Sequence, residues 1–232
     1  MKIKNDYKIK GLIQAWLLEE KKEPVKIFVQ DYFSYKKNLT PQTFLNDIVS
    51  NMKGVTADLE IKYITLSTAF DAPSKTTGLE LEIGRNVPFN FVQINNKLVI
   101  EGKFESDVYT SKANITSVTD NKTFIVSDAS IFRINDRIQI KTGTGTNDFE
   151  QRKITSKNNG TGEIIVNQEC NNTPLTGTNF CQQMISRLCL AYGASATGTL
   201  NTGSPASLAK MITTKSSTQT IYTRHEIEII GA

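Results

Sequence analysis

The chain has 232 residues, 38% of them hydrophobic and 22% charged, which suits one large domain or two small ones and excludes an intrinsically disordered chain. Its 27 basic residues, for a net charge of +4, are dispersed among 23 acids; the longest basic cluster is Lys21–Lys22, beside Glu19, Glu20 and Glu23, so nucleic acid is not expected as a partner. No apolar run reaches the roughly 20 residues that span a bilayer, so no membrane insertion is expected either.

The opening MKIKNDYKIK is charged and lacks the apolar stretch of a signal peptide, which reads as a protein made and assembled in a cytosol. YKIKGLIQAWLLEE then reads as a strand, its centre apolar enough for burial on both faces. KKEP is turn chemistry, and VKIFVQDYF alternates Val25, Ile27 and Val29 on one face, so the two runs form an N-terminal hairpin. A short helix is expected over 41–53. Thr40 can cap it, Pro41 sits where a missing N–H costs nothing, and Gly54 stops it. Phe44, Leu45, Ile48, Val49 and Met52 form its apolar stripe.

Strands follow: IKYITLST, LELEIGRNVPF and NFVQINNKLVIEGKF, the last with a turn at Asn95–Asn96. Near the C-terminus come ISRLCLAYG, ASLAKMITT and QTIYTRHEIEII, with the flexible run GASATGTLNTGSPAS between the first two. In the last strand Ile221, Thr223, His225, Ile227 and Ile229 share one face, and Tyr222, Arg224, Glu226 and Glu228 the other. The middle differs in texture, with short strands separated by the turn signals TDNK, SDAS, GTGTND and SKNNGTG, the pattern of a small antiparallel barrel. The expected fold is mainly β: an antiparallel β-sandwich of residues 1–115 plus 183–232, bearing the helix, with a small β-barrel inserted at 116–182. The ends of that insertion, near Ile115 and Met184, should lie close together.

Residues that could carry chemistry are few. Cys170, Cys181 and Cys189 form no CxxC pair, and with a single histidine no zinc site or other cofactor is expected. The thiols read as buried hydrophobes, although Cys170 and Cys181 could pair across a loop under oxidation. His225, between Arg224 and Glu226, reads as a strand histidine packed or hydrogen-bonded in the sheet. GTGTND has Asp148 where a phosphate-binding GxGxxG needs its third glycine, and no helical pattern follows. Glu80 and Glu82 alternate with Leu79, Leu81 and Ile83. Two carboxylates on one strand face could serve glycoside hydrolysis, but a solvated face predicts the same pattern and is preferred. Asp120, Asp128, Asp136 and Asp148 are spaced as turn residues, not as a calcium loop. No catalytic, cofactor or metal residue is therefore assigned, and the chain is not expected to be an enzyme. Barrel loops 141–150 and 156–162, with Phe149 as their main aromatic, are where a binding function would sit.

The stretch YITLSTAFDAPSKTTGLELEIGR resembles a strand–loop–strand pattern of tailed-phage virion proteins. The matching residues are Ile61, Ile64, Leu66, Thr68, Ala72, Pro73, Thr77, Leu79, Glu82 and Arg85; Ser67 and Phe70 stand where that pattern carries glycines. The N-terminal hairpin and helix, and the ending from Arg187 to Ile229, resemble the flanks of such proteins. The segment FIVSDASIFRINDRIQI, 124–140, resembles a small barrel module of phage proteins. The resemblance implies a structural subunit of a tail, baseplate, fibre attachment or neck, located in the virion after assembly in the host cytoplasm. Its implied partners are other virion proteins and further copies of itself. Alternatively the chain is a receptor- or glycan-binding module that meets the host cell surface. Thr68–Thr77 would be a surface loop, and Glu82 and Arg85, three apart on a strand, would point to opposite faces without pairing.

Overall fold

A computed structural model describes residues 8–19, 22–33, 60–71 and 79–230. The helix expected over 41–53 lies outside the described residues, as do most of the loop between Thr68 and Thr77 and the first seven residues. Among the described residues the chain is mainly β, with no helix, and every strand pairing is antiparallel.

In chain order the first strands are β1 (Lys8–Glu19), β2 (Val25–Phe33), β3 (Ile61–Ser67), β4 (Glu82–Asn86), β5 (Asn90–Ile94) and β6 (Lys97–Phe104). Then come β7 (Lys112–Val118), β8 (Thr123–Val126), β9 (Arg137–Lys141), β10 (Phe149–Asn158), β11 (Glu163–Val166) and β12 (Phe180–Gln183). The last are β13 (Ile185–Tyr192), β14 (Ser204–Thr213) and β15 (Gln219–Ile230). They form a five-stranded sheet in the order β2-β1-β15-β6-β5, a four-stranded sheet in the order β14-β13-β3-β4, and a closed barrel in the order β10-β11-β8-β7-β12-β9.

The two open sheets face each other across one apolar core, the arrangement of a β-sandwich. Ile13, Ala15, Ile100, Phe104 and Ile221 enter it from the five-stranded sheet, and Ile64, Leu66, Leu188, Leu190 and Tyr192 from the other. Period-2 alternation explains the choice of face. β15 buries Ile221, Thr223 and His225 while Tyr222 and Arg224 stay half-exposed. β1 departs from the sequence reading: Ile13 and Ala15 are buried but Leu12, Gln14 and Trp16 only partly, so one face is buried and not two. β13 is the strand buried on both faces, with Cys189 and Ala191 packed under Leu79 and Leu208 on the far side. Gly102 faces the opposite sheet across the core; a Cβ there would meet Ile64 Cδ1 at 2.5 Å.

The barrel has its own core, built from Ile115, Phe124, Val126, Phe132, Ile138, Ile140, Ile154, Ile164, Val166 and Cys181. Its ends meet: Gln183 N–H donates to Ser111 O at 2.8 Å, and Ser111 N–H donates to Gln183 Oε1 at 3.0 Å.

Candidate functional site

A buried polar cluster lies where the barrel meets the sandwich. Its centre is Asp136, at the entry to β9 and fully buried. One carboxylate oxygen accepts the Thr68 hydroxyl. The other accepts Gln183 Nε2 at 2.6 Å and the Arg133 backbone N–H at 2.7 Å. The Arg133 guanidinium lies 3.4 Å from Asp136 and donates to Thr68 Oγ1 and to the carbonyls of Leu81 and Glu82 at 2.8–2.9 Å. Backbone bonds cross the same seam: Arg137 N–H to Thr68 O at 2.6 Å, Phe70 N–H to Asn135 O at 2.9 Å, and Met184 N–H to Arg137 O at 2.9 Å. Arg137 stacks on Phe70 at 4.4 Å and donates to its carbonyl at 2.7 Å. Burial, and then the nearby Arg187 charge, lower the Arg137 pKa from its usual value.

Thr68 and Ala69 are buried, so this part of the expected surface loop is instead inside the seam. Asp136 is likewise no ordinary turn residue. Asp120, Asp128 and Asp148 do behave as turn residues, accepting backbone N–H groups two or three positions away. The signal for Asp136 was its setting. Asp136 lies in the mixed run FRINDRI between Phe132 and Ile138, both buried, and a charge drawn inside with them has to be internally satisfied.

Glu82 and Arg85 correct two expectations. Glu82 is fully buried and not on a solvated face with Glu80, which is half-exposed and paired with Arg187 at 2.7 Å. Alternation fails because Leu81 adopts φ +54° in a turn just before β4 begins. Nor do Glu82 and Arg85 point apart. They form a two-pronged buried ion pair, Arg85 Nε to Glu82 Oε2 at 3.0 Å and Arg85 Nη2 to Oε1 at 2.9 Å. Arg85 also reaches Thr197 O, Thr202 Oγ1 and Thr202 O at 2.6–2.8 Å, while Glu82 accepts Asn201 N–H at 2.9 Å. The Gly- and Thr-rich run expected to be flexible is therefore anchored by this pair, and β14 begins at its Ser204. Glu80 and Glu82 do not form an open acid–base pair, since one is sealed by Arg85.

His225 faces the core beside Ile13 and Ile100, its partners on β1 and β6. Among the described residues neither ring nitrogen has a hydrogen-bond partner, and burial pushes the imidazole pKa down to about 3. It is packed, not hydrogen-bonded. The thiols of Cys170, Cys181 and Cys189 are free and buried; burial raises all three, Cys170 to about 11. Among the described residues no group of three His, Cys, Asp or Glu side chains is placed to hold a metal ion.

At the barrel end a polar groove of about 500 Å³ is lined by Thr142, Gly143, Asp148, Phe149, Glu150 and Asn171. Phe149 is half-buried, its ring packed on Phe180 at 5.4 Å with Lys141 Nζ 4.6 Å from its centroid, so it is not an open stacking platform. Burial alone would raise the Glu150 carboxyl pKa. The N–H groups of Asn171 and Asn172 and the Arg152 charge outweigh it, and the pKa is lowered.

The other exposed feature is β5 with the segment before it. Val87, Phe89, Phe91, Val92 and Ile94 are 40–68% exposed, and among the described residues β5 is an edge strand of the five-stranded sheet. The sequence marks LELEIGRNVPF and NFVQINNKLVIEGKF as strands but marks no edge, because edge position depends on the order of strands far apart in the chain. Compared with known proteins, the chain matches no family model, no curated protein and no solved structure.

Proposed function

We propose that the chain is a structural subunit of a tailed-phage virion, built into the tail, baseplate or neck and assembling with copies of itself and with other virion proteins. One observation carries this reading. The residues of the phage-like strand–loop–strand segment are committed to architecture: Thr68 to Asp136, and Glu82 and Arg85 to each other and to the 193–203 loop. Charges spent on internal pairs and backbone carbonyls fit a part that must hold one shape, and leave little for turnover. In the same reading the chain is organised as a sandwich domain, expected as 1–115 plus 183–232, that carries an inserted barrel domain, expected as 116–182 but here running from Lys112 in β7 to Gln183 in β12, and it is not an enzyme.

The test is immunogold electron microscopy of particles with antibody against the chain. Gold at one fixed place on tail or neck is expected. Antibody that binds the purified chain but labels neither intact nor partly disassembled particles refutes the reading.

The polar groove beside Phe149 favours a second reading, a receptor- or glycan-binding module displayed on the particle. A glycan array probed with the full chain tests it, and an array without hits removes it.

A further inference from the structure

We infer that β5 is a self-association edge: two copies of the chain join their five-stranded sheets by antiparallel pairing of β5 with β5, around a two-fold axis at Val92. This deepens the structural-subunit reading and rests on its premise that copies of the chain meet.

The backbone sets the register. β5 and β6 are joined by the two-residue turn Asn95–Asn96, with Ile94 opposite Lys97, Val92 opposite Val99 and Asn90 opposite Glu101. Residues flanking a two-residue turn exchange both hydrogen bonds, and the pattern then repeats at every second residue. Ile94, Val92 and Asn90 thus bond inward to β6; the Phe89 N–H bond to Glu101 O at 3.0 Å closes that end. The N–H and C=O groups of Phe91 and Gln93 consequently point outward from the sheet edge. An axis at Val92 sets Phe91 of one copy opposite Gln93 of the other, and the reverse, so the outward groups of each copy meet those of its mate. The edge is self-complementary.

Side chains point the same way. Free edges are normally protected by lysine, proline, bulges or inward charge. β14, the edge of the other sheet, carries Pro205 and Lys210. β2, the other edge strand of this sheet among the described residues, carries the exposed Lys26. β4, the remaining edge, lies beside the 193–203 loop held by Arg85. Within Asn90–Ile94 there is no charge and no proline. Instead Val87, Phe89, Phe91, Val92 and Ile94 together expose roughly 500 Å² per copy, backbone included, to be set against the roughly 800 Å² per partner of a standard interface. Asn90, Gln93 and Pro88 add to it. Phe91, Pro88 and Val87 also line a groove of about 410 Å³ together with Ile61, Tyr63, Glu60 and Lys62, which carries a mixed apolar and charged surface past the strand itself.

The test uses the full chain. Val92→Cys places one new exposed thiol on the axis, and the native cysteines are buried and will not compete. In a non-hydrogen-bonded antiparallel pair the two Cα atoms stand about 4.5 Å apart, within disulfide reach. Light scattering should show a concentration-dependent dimer of the wild type. Mild oxidation should give a covalent dimer of Val92→Cys but not of Ile212→Cys, an exposed control on β14. Val92→Lys, at a partly exposed position that does not threaten the fold, should weaken dimerisation about tenfold or more. A wild-type dimer that Val92→Lys leaves unchanged and Val92→Cys does not cross-link refutes pairing through β5 while leaving self-assembly standing. A wild type that stays monomeric at about 100 μM overturns the proposal, as does cross-linking of Val92→Cys in particles to a different virion chain. Neither of those outcomes touches the virion reading, which the gold labelling decides separately.

Discussion

His225 makes the stability of this fold depend on pH in a range where no other side chain of ordinary pKa titrates. The chain has one histidine. In the folded state its pKa is pushed down to about 3 by burial, against about 6.5 when unfolded. The unfolded chain therefore binds a proton that the folded one refuses, and stability falls as pH drops from above 6.5 toward 3. The loss is about 1.4 kcal/mol between pH 7.5 and 5.5, and roughly one further factor of ten in the unfolding equilibrium for each pH unit below that. Acids with lowered pKa values, such as Glu101, Glu150 and Glu226, add their own loss only as pH falls below about 4.5.

The perturbation is His225→Leu, which is close in volume and removes two ring nitrogens that have no partner. At pH 7.5 an apolar replacement should be neutral or stabilising by about 1–2 kcal/mol, because no buried polar atom is left unpaired. The variant should also show flat stability from pH 7.5 to 5.5. Urea unfolding at stepped pH reads both effects. A wild type equally stable at pH 7.5 and 5.5, or a His225→Leu variant that keeps the wild-type slope, would refute the reasoning, for it would mean that the imidazole has a partner or reaches water.

Three other substitutions test the packing. Asp136→Ala strands the Thr68 hydroxyl, the Gln183 amide and Arg133; it should cost about 3–5 kcal/mol, and hydrogen exchange should quicken first at the Phe70 and Arg137 amides that cross the seam. Glu82→Ala leaves the Arg85 charge buried, with a similar cost, and limited proteolysis should then cut within 197–202; the Glu82→Leu/Arg85→Met double variant should recover much of the loss. Gly102→Ala should cost about 1–3 kcal/mol through its clash with Ile64, and adding Ile64→Val, which deletes the clashing methyl, should cost less than the two single changes summed, as chemical denaturation of the four variants will show.

What could be read from the sequence was what depends on short-range pattern. Val25–Phe33 and Gln219–Ile230 are strands where alternation and turn chemistry place them, and Ile221, Thr223 and His225 face inward as their spacing requires. What failed was local geometry imposed from outside the segment. Leu81 takes φ +54°, a conformation a leucine rarely adopts, and its carbonyl accepts Thr68 N–H at 3.1 Å and Arg133 Nη2 at 2.8 Å. Those partners lie 13 and 52 positions away in the chain, so nothing in LELEIGR itself signals the break that turns Glu82 inward. The Gly- and Thr-rich 193–203 run misled for the same reason: composition marks a segment able to bend, while its order comes from Arg85, more than a hundred residues earlier.

Two features of the fold bear on the proposed subunit role, the seam and the β5 edge. A module that had to swing would be joined by extended, unbonded connectors. Here both connectors are held. Thr110 and Lys215 exchange backbone and hydroxyl hydrogen bonds at 2.9–3.1 Å, and the buried Lys215 ammonium donates to the carbonyls of Glu105 and Val108. On the return side Ser186 Oγ donates to Ala69 O at 2.5 Å. Burial lowers the Lys215 pKa, so this clamp is formed at a cost that carbonyl contacts have to offset. A joint held by buried charge and backbone hydrogen bonds would transmit the orientation of the sandwich to its barrel, so the β5 pairing proposed above would also fix where each barrel points.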